Sequence, residues 1–374
     1  MRIQYKFKFY LDIVTLILIF GISTAGAVPV IESIDTSRYA QEGVIVLTGS
    51  DFGPPASIQV LDDFEHVGAA TGGAVSLDQA RLGNWTETSL PAPLYDNFAY
   101  SGNFSILGWN SQGDRVRQIT KIFDVPIQSV FLSYWVAIPP GFPFPGNDAS
   151  IAGGFSTDSS WKFLWLIDED VQGNSSDLTV PTYTGQGSAQ IAGNDLSLGQ
   201  IAKPINWWSW GNWMRISAWL RADPNAPTEN GRVLFQIFSK EFGTYVFDRN
   251  IPVFDNDGPT EKQYQRINFP GWIRTFAIGE GRPVYDDIYV ASGPNAFARV
   301  ELTDNIDYRK SFEFAIQAPT SWSDTQIEIK IISSAISDID KAALHIFNAG
   351  GKRSIRGKYV FAIAPDAPNS LITD

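Results

Sequence analysis

From Trp213 to Arg221 the chain reads WMRISAWLR and alternates at every step. Met214, Ile216, Ala218 and Leu220 fall on one side, and Trp213, Arg215, Ser217, Trp219 and Arg221 on the other. A period of two is the pattern of an extended strand, whose successive side chains point to opposite faces of a sheet. Other runs rich in Val, Ile, Phe, Trp and Thr recur along the chain between clusters of Gly, Pro, Asn and Asp, among them Val44–Thr48, Ser129–Ile138, Lys162–Ile167, Gln326–Ile332 and Ala343–Asn348. Helical periodicity is hard to find, and only a short helix near Ser337–Lys341 is expected. The pattern predicts an all-β sandwich or barrel. The stretches 139–160 and 170–200, rich in Gly, Pro, Ser and Asn, read as long loops, where binding surfaces usually form on such scaffolds.

The two faces of the 213–221 strand have different meanings. The aliphatic face is a core face. The other interleaves two indoles with two guanidinium groups, unlike an ordinary solvent face rich in Thr, Lys and Glu. Arg can clamp a carboxylate or hydroxyls with paired hydrogen bonds while Trp stacks on an apolar ring face. Trp213, Arg215, Trp219 and Arg221 are therefore candidate ligand contacts, and Tyr134 joins them. The cluster Trp207-Trp208-Ser209-Trp210 just precedes the strand. Adjacent rings cannot all face one way, so at most two of its indoles reach a ligand, and Trp207 and Trp210 are the candidates. The alternative is that the face is covered, with its indoles buried and its arginines paired to Asp.

Composition narrows the class of partner. The formal charge is −12, which repels nucleic acid and anionic membrane surfaces. Twelve Trp, 25 Phe and 13 Tyr suit both sheets and sugar-binding surfaces. There is no Cys, so thiol chemistry and Cys-ligated metals are excluded, and an exported chain must fold on its cores alone. Export is expected from residues 1–27. Arg2, Lys6 and Lys8 precede an apolar run, Ile13–Ile22, and small residues fill the −3 and −1 positions of a cut after Ala27. The run is about half the ~20 residues needed to span a bilayer, and no later segment is apolar enough to do so. A cleaved signal peptide and a secreted, periplasmic or cell-surface protein, bacterial given its lack of Cys, are expected. The remainder is long for one core and points to two domains.

Residues Val28–Gly53 read VPVIESIDTSRYAQEGVIVLTGSDFG. Their strand–turn–strand layout ending in T-G-S-D-F-G resembles the opening of an immunoglobulin-like IPT/TIG domain. The later strands of such a domain do not follow. They resemble the segment from Ala298 to about Ala364 instead, where APTSWSDTQI fits the family's Pro-containing turn. The piece between resembles a concanavalin A-like lectin/glucanase jelly roll of the laminin-G-like kind. Its best match is FPGWIRTFAIGEGRPVYDDIYVASGP at Phe269–Pro294. The resemblance implies a jelly-roll sandwich, residues 58–296, nested in a smaller Ig-like sandwich built from 28–57 and 297–365, with a tail at 366–374. Jelly-roll termini lie side by side, so such an insertion strains neither domain.

No catalytic motif stands out. Hydrolysis on this fold needs two carboxylates about 5–10 Å apart, and the E-x-D-x-x-E triplet of the glucanase branch is absent. Asp168-Glu169-Asp170 reads as a strand-end loop. A lyase needs a base and a neutralising cation; neither His66 nor His345 sits in a lyase motif, while Tyr134 with Arg215 is conceivable. There is no G-x-S-x-G. Asp62-Asp63 opens the jelly roll and Asp286-Asp287 closes it, which gathers hard oxygen ligands suited to a structural Ca²⁺. The alternative for each pair is one Asp capping a turn and one facing solvent. The reading favoured is an exported polysaccharide-binding protein without evident catalysis. A polysaccharide lyase or hydrolase with an unfamiliar site, and a structural surface or matrix protein, remain alternatives. Protein partners are not legible.

Overall fold

The computed structural model describes residues 27–111, 115–139, 160–167, 178–183, 188–191, 201–202, 211–222, 231–250, 263–271, 273–274 and 283–361. These form two β-sandwiches, one inserted into the other. The smaller begins with strands Val30–Asp35 and Val44–Ser50. Its sheet is completed by Gln326–Lys330 and Ala318–Trp322, and Val44 lies opposite Lys330. The second sheet runs Phe314–Ile316, Arg299–Thr303, Ala343–Phe347 and Lys358–Tyr359. Ile45, Leu47, Ile327 and Ile329 from one sheet meet Val300, Leu302, Leu344 and Ile346 from the other in a closed core.

The N- and C-terminal parts are tied at the T-G-S-D-F-G turn. A Cβ on Gly49 would lie 1.9 Å from the Val30 carbonyl oxygen and 2.8 Å from the Phe52 ring, so no side chain fits there. Phe52 is buried in the small core. Gly53 turns with φ +68°, its N–H donates to Asp324 Oδ1 at 2.9 Å, and its carbonyl accepts from Trp322 Nε1 at 2.7 Å. The W-S-D turn thus clamps the G-S-D-F-G turn across the whole length of the insertion.

The larger sandwich spans Ser57–Ser292. Its first sheet orders Gly243–Asn250, Arg232–Ser239, Met214–Arg221, Ser129–Ala137, Val284–Ser292, Ser57–Asp62 and Leu82–Gly83. The second orders Ile201–Ala202, Ser188–Ile191, Leu178–Tyr183, Ser160–Ile167, Tyr264–Phe269, Ile119–Ile127 and Glu87–Thr88. All the pairings are antiparallel. Met214, Ile216, Ala218 and Leu220 are buried between the sheets with Phe163, Leu166, Ile267 and Phe269, as their alternation requires.

The first and last strands of the insertion, Ser57–Asp62 and Val284–Ser292, pair directly, so its ends leave side by side. Some strands had no clear sequence signal, notably Gly243–Asn250 and Tyr264–Phe269. The stretch 170–200, read as loop, carries Leu178–Tyr183 and Ser188–Ile191. Near Ser337–Lys341 there is one 3₁₀ turn, Ile339–Lys341.

Gly49→Ala should destabilise the protein by about 1–3 kcal/mol, the usual cost of overpacking a filled site. Urea unfolding followed by Trp fluorescence reads this; unchanged stability would contradict the close approach of the Val30 strand.

Candidate functional site

The Trp/Arg face of the Met214 strand is where the smaller sandwich sits. Phe297, Tyr308, Phe314, Ile316 and Phe347 pack onto Phe131, Trp135, Trp219, Phe238 and Tyr289 of the larger sheet in one buried cluster. Trp219 is 1% exposed. Its indole N–H donates to Ser129 Oγ at 3.2 Å, and the Arg232 guanidinium lies 4.7 Å over its ring. Arg215 is 5% exposed; it donates to Glu301 Oε2 at 2.8 Å and to Ser133 Oγ at 3.0 Å. Arg299 Nε donates to the other Glu301 oxygen at 2.6 Å, and the Tyr308 hydroxyl donates to Oε2 at 2.9 Å. Burial pushes the Glu301 carboxyl up, but Arg215 and Arg299 outweigh it and hold it well below the usual carboxylate range. Arg215 and Trp219 therefore belong to an interface between sandwiches and are closed to a ligand. The covering element is a second domain, and the partner of Arg215 is Glu.

Tyr134 is also inaccessible. It lies opposite Ile216 on the inner side of its strand, fully buried between the sheets. Burial pushes its phenol well above the usual range, which leaves it unfit as a base. Trp207 and Trp210, like Asp168, Glu169 and Asp170, lie outside the described residues. His66 is enclosed, with Nε2 2.9 Å from Asp62 Oδ1 and Nδ1 2.6 Å from the Tyr95 hydroxyl. His345 is buried beside the Asn305 carbonyl, and burial pushes its pKa down to about 4.

The four aspartates do come together, since Asp62 pairs with Ile288 on the neighbouring strand. Their oxygens, however, are engaged by protein donors. Asp62 accepts from the Phe64 N–H and Trp85 Nε1. Asp63 is paired with Arg81 at 3.0 Å. Asp286 accepts the backbone N–H groups of Tyr100, Ser101 and Asp287. Only Asp287 Oδ2 is buried with no hydrogen-bond partner, while its Oδ1 accepts from Ser101 Oγ at 3.0 Å. Among the described residues no three His, Asp or Glu side chains are placed to hold a metal ion. Instead, burial and then the nearby charge of Asp63, with a further contribution from Asp62, raise Asp287 to about 7, against the opposing pull of Arg215.

Two residues of the predicted ligand set line cavities, at opposite ends of the Met214 strand. Arg221 borders a large cleft at its C-terminal end. Trp213, half-buried, lines a pocket of about 260 Å³ at the N-terminal end with Tyr100, Trp135, Asn212, Lys240 and Glu241. Tyr100 stacks on Trp135 with centroids 3.6 Å apart, and Phe98 stacks on Trp213 at 5.5 Å. The Asn212 amide donates to Glu241, and Lys240 reaches Glu313 of the smaller sandwich at 3.9 Å. An aromatic lining with a few converging polar groups suits a ligand that is apolar on one face and hydroxylated at its edge. Trp135 could have been found as the cross-strand partner of Arg215. Tyr100 comes from a loop and had no signal.

Glu301→Gln should cost about 3–5 kcal/mol, because it leaves two buried guanidinium groups without their counter-charge. Denaturant unfolding measures it, and a loss below 1 kcal/mol would refute the role given to the cluster. A carboxyl with a raised pKa stabilises the fold when protonated. The contribution of Asp287 is therefore full below the ordinary value of 3.8 and is lost as pH rises towards 7. Asp287→Asn, which tolerates the positive φ of 45°, should raise thermal stability at pH 8 and flatten its decline between pH 4 and 7. Parallel melting curves of mutant and parent across that range would disprove this.

No family model matches the chain, and no curated protein matches it. Among solved structures it is similar to the alginate lyase Aly36B, with TM-score 0.42 and 13% identity over 63% of this chain and 97% of that one. The marine PL-14 alginate lyase from Aplysia kurodai gives 0.40 and 9%, over 60% and 100% of the two chains. Peanut lectin in complex with a nonapeptide gives 0.34 and 9%, over 54% and 90%. No residue role passes from these proteins to this chain.

Proposed function

We propose that this chain is an exported polysaccharide-binding protein that seats a sugar ring in the Trp213 pocket. The observation that carries the reading is the meeting of Trp213 with the stacked Tyr100–Trp135 pair beside the polar groups of Asn212, Lys240 and Glu241. A pyranose offers C–H groups to an aromatic face and hydroxyls to such a rim. A structural surface role is not favoured by any single contact. The proposal also takes the smaller sandwich to be the IPT/TIG-like domain that the T-G-S-D-F-G turn resembles.

A second reading, a polysaccharide lyase, draws on the outer face of the second large sheet. There Thr120 and Asn268, both buried and joined by a hydrogen bond from Thr120 Oγ1 to Asn268 Oδ1 at 3.0 Å, stand in one cross-strand row with Trp165, and Arg266 lies in the next. Arg and Asn are residue types that can neutralise a uronate carboxylate during proton abstraction. Product absorbance separates the two readings, because only a lyase leaves an unsaturated uronate.

Trp213→Ala should weaken binding to the polysaccharide that the parent protein retains on a glycan array by at least tenfold, with the melting temperature little changed, since Trp213 precedes the strand and is only half-buried. Retained affinity in a folded Trp213→Ala protein would sink the pocket as the site.

A further inference from the structure

Acidic residues outnumber basic ones along the chain, and the formal charge is −12. One part of the smaller sandwich reverses that balance. Residues 304–310 read DNIDYRK and residues 352–358 read KRSIRGK, so fourteen residues hold six cations and two carboxylates. The two segments lie side by side. The Gly357 N–H donates to the Ile306 carbonyl at 2.9 Å, and the Arg353 guanidinium lies 4.3 Å over the Tyr308 ring. Burial, and with it the nearby charge of Arg309, pushes the Arg353 pKa down. Gathering like charges works against folding, so the fold gains nothing from the concentration itself.

The local carboxylates do not cancel these cations. Asp304 Oδ1 accepts the backbone N–H groups of Phe312 and Glu313. Asp307 caps the turn at Tyr308–Lys310 and serves two cations at once, Arg309 at 3.4 Å and Lys310 at 4.0 Å, whose side chains stay 81% and 73% exposed. Lys358 donates to the Glu32 carbonyl. Lys352 and Arg356 are exposed, and among the described residues neither side chain has a partner. Their backbone is nevertheless fixed. The Asn348 N–H donates to the Lys352 carbonyl at 2.9 Å, the Lys352 N–H donates to Asn348 Oδ1 at 3.0 Å, and the Ser354 N–H donates to the Ile346 carbonyl at 2.9 Å. The free cations thus stand on a closed hairpin, with exposed Ile355 between Arg353 and Arg356.

We infer that this face of the smaller sandwich binds an acidic polysaccharide, with Lys352 and Arg356 as the main contacts to its carboxylate or sulfate groups and Arg309 and Lys310 beside them. Ammonium and guanidinium groups bond such anions with charge-assisted hydrogen bonds. The rest of the chain favours a slender partner. A membrane or a nucleic-acid duplex brings a broad anionic surface against an acidic body, whereas a flexible polysaccharide need touch only the patch. The site stands independently of the Trp213 pocket.

The test uses the full chain in calorimetric titration with polygalacturonate and dextran sulfate, and with methyl-esterified polygalacturonate and plain dextran as their uncharged counterparts. At least one acidic polymer should bind tenfold or more tightly than its counterpart, with an affinity that falls as salt is raised; which of the two binds tells carboxylate from sulfate. Replacing Lys352→Gln and Arg356→Gln together should cut that affinity at least fivefold with the melting temperature unchanged, since both side chains are exposed. Asp307→Asn keeps the cap, because an Asn oxygen accepts the same bond, but releases Arg309 and Lys310, and it should strengthen binding severalfold. Trp213→Ala should leave the preference for acid intact. Equal binding of both acidic polymers and their counterparts, an unchanged affinity in the folded double variant, or no gain in Asp307→Asn would each overturn the inference. So would loss of the preference in Trp213→Ala, which would move acid recognition to the pocket, and so would tighter binding of phosphatidylglycerol vesicles or duplex DNA through Lys352 and Arg356. If the double variant fails to fold, Asp307→Asn decides alone.

Discussion

Glu301 stands at the joint between the two sandwiches, and the arrangement of everything else around it follows. It offers two oxygens, and three donors from both domains take them: Arg215 from the larger, Arg299 and Tyr308 from the smaller. Desolvating these charges is expensive, and a well-packed apolar substitute is often as stable. What the cluster adds is a single docking geometry. The Arg299 guanidinium lies 3.8 Å over Phe347, 4.1 Å over Phe131 and 4.5 Å over Phe297, so a shift of one sandwich against the other would break ring contacts and hydrogen bonds at once. The apolar area around the cluster provides the affinity; the charges fix the register.

That joint determines which surfaces are left for function. The outer face of the first large sheet is spent on the smaller sandwich, and two cavities fall at the ends of its Met214 strand. One end is lined by aromatic rings and the other mainly by polar side chains. A sheet clamped on both faces is a stiff support, and both pockets draw residues from its strand ends and the turns beside them.

The sequence carried half of this plainly. Alternation in Met214–Arg221 located the strand and its inner face, because polar and aliphatic residues separated cleanly. The fate of the outer face was not readable there, since its cover is supplied by Phe297, Tyr308 and Phe347, far along the chain. Tyr134 shows a second limit. In Ser129–Ala137 every residue is buried; a strand covered on both sides has no solvent face, so its pattern cannot tell inside from outside. The aspartates show a third. Their convergence followed from the pairing of first and last strands, but nothing in D-D or D-D-F announced that Trp85, Arg81 and backbone N–H groups would occupy the oxygens. The split small sandwich was legible because the G-S-D-F-G turn has strict steric demands, as Gly49 and Gly53 show, and because W-S-D-T resembles a turn of the same kind of domain far along the chain.

The insertion also imposes an order in time. The strands that end at Ser50 cannot complete their sheet until Gln326–Lys330 exists. About 275 residues intervene, which at ~5–20 residues per second is on the order of tens of seconds of synthesis. Through that interval the larger sandwich can close its own core, while Phe131, Trp135 and Trp219 remain uncovered and the first two strands of the smaller sandwich wait unpaired. The segment that hides them, from Phe297 to Phe347, is made after them. Until that segment has been made, the nascent chain is most prone to sticking to its neighbours through this aromatic face.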